Sequence, residues 1–250
     1  MIGMKSVAKR FGNTKVLTDV TFQLEKGDCY GLLGKNGAGK TTLLNIIIGS
    51  TDASFGTFSL NGSDSELKDL SSLKHKIGFF IDDQQLVQDF TAWEFLTFVA
   101  SIYKVPTGEI KNRAVSLFTY FFDELPDINI RINSMSRGMK VKVGICAALM
   151  HKPQLLILDE PFAGLDPTSA DKLITLLTQF RSESTILISS HDLDYIERVC
   201  NKIGVLDEGH MQYDGTLHDF TMNGQKIIGE SLASFVKSKD YDMDQLNWLL

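Results

Sequence analysis

Apolar and polar positions change period several times along the chain, and each change marks an element. Residues 1–30 alternate, with Val16-Leu17 and Val20-Thr21-Phe22 set between polar positions, which predicts strands up to a turn at Gly27-Asp28. Cys29-Tyr30-Gly31-Leu32-Leu33 is continuously apolar, as a strand buried on both faces must be. A glycine-rich stretch follows. Residues 42–48 (TLLNIII) then form an apolar run closed by Gly49, the pattern of a helix that ends at a C′ glycine. Residues 57–60 predict a strand running into a tight turn at Asn61-Gly62, and residues 77–81 (IGFFI) another buried strand. Between 91 and 122 the period becomes helical. Trp93, Phe95, Leu96, Phe98 and Val99, then Leu117, Phe118, Phe121 and Phe122, define two helices separated at Pro106 and Gly108. From residue 155 strands and helices alternate: LLILD, a helix near 167–180, TILISS, a helix near 192–200, then IGVLD. That order predicts an α/β fold with a mostly parallel sheet covered by helices.

Composition narrows the partners rather than the fold. Of 250 residues 43 % are hydrophobic and 22 % charged, ordinary values for a globular chain. The formal net charge of −6 argues against a broad nucleic-acid surface, which needs clustered positive charge, so no nucleic-acid partner is expected. Cys29, Cys146 and Cys200 are far apart and odd in number, so reduced thiols are expected rather than disulfides or a metal site. Met1-Ile2-Gly3-Met4-Lys5 offers no apolar leader, and no stretch reaches the roughly 18 apolar residues of a spanning helix. The chain is not expected to cross a membrane by itself.

The glycine-rich stretch carries the chemistry. Residues 34–41 read GKNGAGKT and fit G-x-x-x-x-G-K-[ST], with Gly34, Gly39, Lys40 and Thr41 at the specified positions. Gly34, Gly37 and Gly39 allow a tight loop whose N–H groups, with those of Asn36, Ala38 and Thr42, cradle phosphates. Lys40 supplies a point charge to the β- and γ-phosphates of ATP, and the Thr41 hydroxyl is a magnesium ligand. A strand precedes the loop and a helix follows it, the context this motif requires. A second element lies at Asp159-Glu160, directly after the apolar run 155–158. Carboxylates at the C-terminal end of a parallel strand sit where ligands bind in open sheets. Asp159 is assigned to magnesium, directly or through water, and Glu160 to polarising the water that attacks the γ-phosphate.

Residues 136–166 make the pattern specific. Ser136-Arg137-Gly138-Met139 precedes a helical stretch (KVKVGICAALM), then Pro153, then LLILDEPFAGLD. From about residue 4 to residue 217 the chain resembles the ATP-binding subunit of an ABC transporter, most like bacterial exporter-type subunits. The resemblance implies a P-loop NTPase core, an N-terminal antiparallel β subdomain and an inserted helical subdomain of about residues 88–150. The ATPase domain would span 1–225, and residues 226–250 a short helical extension. It also implies that Ser136, Arg137, Gly138 and Met139 form a signature loop, usually LSGGQ, which caps ATP bound by the opposite subunit. Here Arg137 and Met139 depart from the commonest form. Phe11 matches the aromatic position that stacks on adenine, Asp166 the D-loop acid that joins two subunits, and His191 the switch histidine on the γ-phosphate. Asp82 falls where a magnesium-sensing glutamine is usual, with Asp83, Gln84 and Gln85 leaving the register open.

On that resemblance ATP and Mg2+ are the cofactors, and the partners are a second copy and an integral membrane transporter subunit. The location implied is peripheral, on the cytoplasmic face of the cell membrane. The expected function is ATP hydrolysis powering export of a drug, lipid or antimicrobial peptide. A non-transport relative such as an iron–sulfur assembly ATPase, of similar length, is the alternative. DNA-repair members carry long coiled-coil insertions and translation factors join two ATPase halves, and this chain has neither.

Overall fold

The computed structural model describes residues 2–60, 63–66, 71–122 and 130–236. The chain opens with a long hairpin, β1 (Ile2–Phe11) and β2 (Thr14–Leu24), then β3 (Cys29–Leu33) and α1 (Lys40–Ile47). Next come β4 (Phe55–Leu60), β5 (Ser63–Glu66), α2 (Ser71–Lys74) and β6 (Ile77–Phe80). Three helices follow: α3 (Ala92–Ile102), α4 (Thr107–Phe121) and α5 (Arg137–Leu149). Strands and helices then alternate through β7 (Leu155–Asp159), α6 (Pro167–Phe180), β8 (Thr185–Ser189), α7 (Leu193–Val199) and β9 (Lys202–Asp207). The last elements are β10 (His210–Thr216), α8 (Leu217–Phe220) and α9 (Ile228–Phe235).

Two sheets result. One is antiparallel, in the order β2-β1-β4-β5, and forms the N-terminal β subdomain. The other runs β10-β9-β3-β8-β7-β6 and is parallel except for β10 at its edge. All residues of β3, β7 and β8 are buried, which is why these strands read as unbroken apolar runs. Their side chains divide between two cores. Cys29, Leu33, Leu156 and Leu158 join the core under the helices. Tyr30, Leu32, Leu155 and Ile157 join the one shared with α1 and the antiparallel sheet.

Helix α5 lies on β6 without a gap. A Cβ added at Gly144 would sit 2.1 Å from Phe80 Cδ2, and one at Gly78 would sit 2.1 Å from the Ala148 carbonyl oxygen. Helix α3 begins at a reciprocal cap. Thr91 Oγ1 accepts from Glu94 N and Glu94 Oε2 accepts from Thr91 N, at 3.2 and 2.8 Å.

The structure departs from the sequence reading at the break before α4 and adds one strand. The break before α4 is made by Lys104, at φ +55°, and by Pro106 at the cap; Gly108 lies inside the first turn of α4. Strand β10 is not among the predicted strands; its apolar residues, Met211 and Tyr213, are only half-buried, each against a different core. A two-residue turn leads into it: Glu208 and Gly209 have φ +46° and +78°, the handedness that joins neighbouring strands tightly. The expected C-terminal helix is α9, within the proposed extension, while the turn at Asn61-Gly62 and the acidic stretch at 240–244 lie outside the described residues. Among the described residues no helix is long and apolar enough to cross a membrane.

Candidate nucleotide site

Strands β3, β8 and β7 are neighbours, so whatever follows each of them meets at one edge of the sheet. The loop 34–41 follows β3, Ser190-His191 follow β8, and Glu160 follows β7. A cavity of about 390 Å3 opens there, lined by Lys35, Asn36, Gly37, Gly39, Lys40, Thr41, Thr42, Asp159, Glu160 and Val16. Gly34 and Ala38 form the back of the loop. A Cβ at Gly34 would lie 2.2 Å from the Leu206 carbonyl oxygen, so only glycine lets the loop seat against β9. The Ala38 N–H does not face the cavity as expected; it donates to Lys35 O at 3.1 Å and closes the turn.

The Lys40 ammonium spans the loop, donating to the carbonyls of Gly34 at 2.6 Å and Lys35 at 3.2 Å. Burial lowers its pKa, opposed by the nearby Glu160 and Asp159 carboxylates. Thr41 Oγ1 donates to Asp159 Oδ2 at 3.0 Å, and Ser189 Oγ donates to Asp159 Oδ1. Burial raises the Asp159 pKa, against the two hydroxyl donors that lower it. A hydroxyl beside a carboxylate is a hard-oxygen donor pair, which suits Mg2+ completed by phosphate and water oxygens. No group of three or more His, Cys, Asp or Glu that could hold a metal occurs among the described residues.

Glu160 turns away from β7 at φ +48°, a left-handed conformation unusual for a side chain of this size. Its N–H donates to Ser189 O at 2.8 Å, which fixes that turn. The carboxylate then points to the β8 loop. Glu160 Oε2 lies 2.8 Å from His191 Nδ1 and accepts from Ser190 Oγ at 3.2 Å and His191 N at 3.3 Å. Sequence reasoning placed Asp159, Glu160 and His191 but assigned nothing to Ser189 and Ser190. Their signal lies in register, because Ser189 pairs with Asp159 across adjacent parallel strands.

The remaining residues lie elsewhere. Phe11 is 52 % exposed at the tip of the β1–β2 hairpin, with Lys9 Nζ 4.6 Å above its ring, so it is no part of a core. Ser136 caps α5, its Oγ accepting from Met139 N at 3.3 Å. Gly138 presses on the loop between β7 and α6, where an added Cβ would be 2.5 Å from Gly164 O. Asp166 caps α6, accepting from Ser169 N at 2.9 Å and Ser169 Oγ at 2.6 Å, and lies 3.6 Å from Lys142 Nζ. The Ser169 bonds hold its pKa down at about 2. None of residues 136–139 nor Asp166 lines the phosphate cavity. Asp82 does not line it either. Exposed beyond β6, its carboxylate accepts from Gln84 N at 2.7 Å and caps a short turn, while Gln85 Oε1 accepts from Ile81 N at 3.0 Å.

A parallel sheet with a phosphate loop after one strand and acids after a neighbouring one defines a P-loop nucleotide hydrolase. The family model described as ABC transporter matches residues 17–163. The chain belongs to that family, as an ABC transporter ATP-binding protein. A linearmycin resistance ATP-binding protein of Bacillus subtilis is 34 % identical over 91 % of this chain and 74 % of its own length. A methionine import ATP-binding protein of Bacillus anthracis is 30 % identical over 94 % of this chain and 70 % of its own. Among solved structures, an ATP-binding subunit of an ABC transporter superimposes with a TM-score of 0.83 at 28 % identity, covering 94 % of this chain and 99 % of that one.

Proposed function

We propose that this subunit hydrolyses ATP as a two-fold dimer and so drives export through a separate integral membrane subunit on the cytoplasmic face of the membrane. The observation that carries the hydrolysis is the Glu160 carboxylate. It is held at the cavity that Lys40, Thr41 and Asp159 also line, and is aimed by Ser190 and His191. ATP phosphates entering the loop take the Lys40 ammonium from the Gly34 and Lys35 carbonyls, which releases a preformed cation onto the β- and γ-oxygens. Thr41 and Asp159 would hold Mg2+, which when bound supplies charge neutralisation to the phosphates. Glu160 orients the attacking water and accepts its proton, and His191 fixes Glu160 and reaches the γ-phosphate. Phe11 stacks on adenine from the hairpin tip.

Signature residues 136–139 and Asp166 lie outside this cavity, so they are assigned to ATP held by a second copy arranged head to tail. Export, rather than import, rests on the exporter-like signature and on the resistance function named for one relative; another is named for import. The membrane subunit has a receptive surface. An apolar groove of about 450 Å3 lies between the end of β6 and the helical subdomain, lined among others by Phe79, Leu86, Phe95, Phe98 and Ile102. Phe98 and Ile102 there are 45 % and 58 % exposed.

Glu160→Gln is the direct test. It should keep ATP binding, lower turnover at least about 100-fold and accumulate an ATP-bound dimer on gel filtration. Wild-type turnover in a preparation free of other ATPases would remove Glu160 from this role. Capture from detergent-solubilised membranes should bring down an integral membrane protein.

A further inference from the structure

A second cavity, of about 340 Å3, lies between α9 and the loop that carries His191. Lys35, Ser190 and His191 line it on one side, and Gly229, Leu232 and Ala233 of α9 on the other. Its lining and that of the phosphate cavity have only Lys35 in common, and no residue of α9 lines the latter. The loop is held at both ends. At one, Ser190 Oγ and the His191 N–H donate to Glu160 Oε2 at 3.2 and 3.3 Å, and Asp192 N donates to Ser190 Oγ at 3.1 Å. At the other, Asp192 caps α7, accepting from Tyr195 N at 3.4 Å. Leu193, the first residue of α7, meets α9 there: a Cβ added at Gly229 would be 3.6 Å from Leu193 Cδ1, an ordinary van der Waals contact. Helix α9 is itself anchored. Phe235 packs on Phe220 and Tyr213, with ring centres 5.7 and 5.2 Å apart, and Ile228 is buried in the core under the helices. The His191 side chain is 76 % exposed, so packing around the ring does not fix it; the backbone of its loop does.

We propose that α9 is a positioning element for hydrolysis, setting the place of His191 through the Gly229–Leu193 contact. This rests on the role given to His191 above. Leu193 is two residues beyond His191, so a shift of α7 against α9 moves the loop and with it the bonds to Glu160. The absence of a side chain at Gly229 sets the distance. Leu193 can approach the helix backbone, and anything longer than a Cβ at 229 needs the space that Leu193 fills. Beside His191 lies the cavity rather than packed core, so little else resists displacement of the loop in that direction. Catalysis is sensitive to such placement: a misplacement of about 1 Å costs on the order of 100-fold in rate. The C-terminal helix thereby bears on the chemistry without lining the phosphate cavity.

Gly229→Leu is the test, with Gly229→Ala as its control. Leucine must displace Leu193, whereas a single Cβ fits. Gly229→Leu should lower kcat at least about tenfold, part of what a misplaced group can cost, and leave KM for ATP within about twofold. Gly229→Ala should match wild type in both. Leu193→Ala removes the same contact from the other side, should lower kcat in the same way, and decides the question if Gly229→Leu does not fold. A general loss of stability would slow hydrolysis whatever stands at position 191; lost positioning would not. In a His191→Ala background, read in single turnover so that slow hydrolysis is measured, neither substitution should lower the rate further by more than about twofold. Wild-type kcat in both Gly229→Leu and Leu193→Ala overturns the proposal. So does an equal fold loss with and without His191, which assigns the contact to packing alone. A raised KM at unchanged kcat overturns it as well. If His191→Ala itself hydrolyses like wild type, the role of His191 fails and the proposal with it. If His191→Ala is slow while Gly229→Leu is normal, only the role of α9 falls.

Discussion

Asp159 and Glu160 are adjacent in sequence and opposite in circumstance. Asp159 is the last residue of a buried strand, only 9 % exposed, and two hydroxyls donate to it. Glu160 has left the strand through a left-handed backbone and reaches a histidine. For Asp159 burial dominates and raises the pKa, so its ionised form is the one the fold disfavours. The sign follows. A carboxyl with a folded pKa above its unfolded value contributes stability while protonated, and that contribution is lost as pH rises through the folded pKa. Asp159→Asn should therefore unfold at a higher temperature than wild type at pH 7. The gap should close as pH falls from the raised folded value to about 3.8, the ordinary value. The same substitution should weaken magnesium-dependent ATP binding at least about tenfold, since an amide is a poorer ligand than a carboxylate. Calorimetry across pH and a magnesium titration check both arms. A variant less stable than wild type at pH 7 would mean that the hydroxyl bonds outweigh burial.

Among elements, α5 connects the most parts. Its first turn carries Arg137 and Gly138 against Gly164 in the loop before α6, and Lys142 reaches Asp166 at the start of α6. Its second half lies on β6, through Gly144 on Phe80 and Ala148 over Gly78. The chain beyond β6 carries Asp82 and the turn beside the apolar groove. A displacement of α5 would thus move the signature and the groove together. Gly144→Val inserts side-chain atoms into space that Phe80 fills, where even a Cβ is too close. It should cost about 2–3 kcal/mol, as overpacking of a tight core does. Chemical denaturation measures it, and loss below about 0.5 kcal/mol would show that α5 shifts freely on the sheet.

At the scale of the whole molecule, two faces are separate: the sheet edge where β3, β8 and β7 end carries the candidate phosphate cavity, and the groove beside α3 offers apolar surface. Phe98→Asp places a charge in that groove without touching the phosphate cavity. Hydrolysis by the isolated subunit should stay within about twofold of wild type, whereas stimulation by the co-purified membrane subunit should fall at least about tenfold, or roughly 1.4 kcal/mol of coupling. Equal loss with and without the membrane subunit would make Phe98 a folding residue instead.

Local chemistry was legible because local physics sets it. Four fixed positions in residues 34–41 specify a loop that must follow a strand and open a helix, and the runs at 29–33 and 155–159 announce strands buried on both faces. The C′ glycine at 49, with φ +71°, and the cap at Ser136 could be read from residue type alone. Strand β10 was not, since it follows a two-residue turn at Glu208-Gly209 and its apolar residues, Met211 and Tyr213, stay only half-buried. The roles of Ser189 and Ser190, the commitment of Asp82 to its own turn and the seating of Arg137 on Gly164 were also beyond the sequence. Each depends on which residue stands opposite which after strands 30 residues apart have paired, or on a loop closing upon itself. Residue type fixes what a side chain can donate, accept or bury; only the packed sheet and helices decide which partner is within about 3 Å of it.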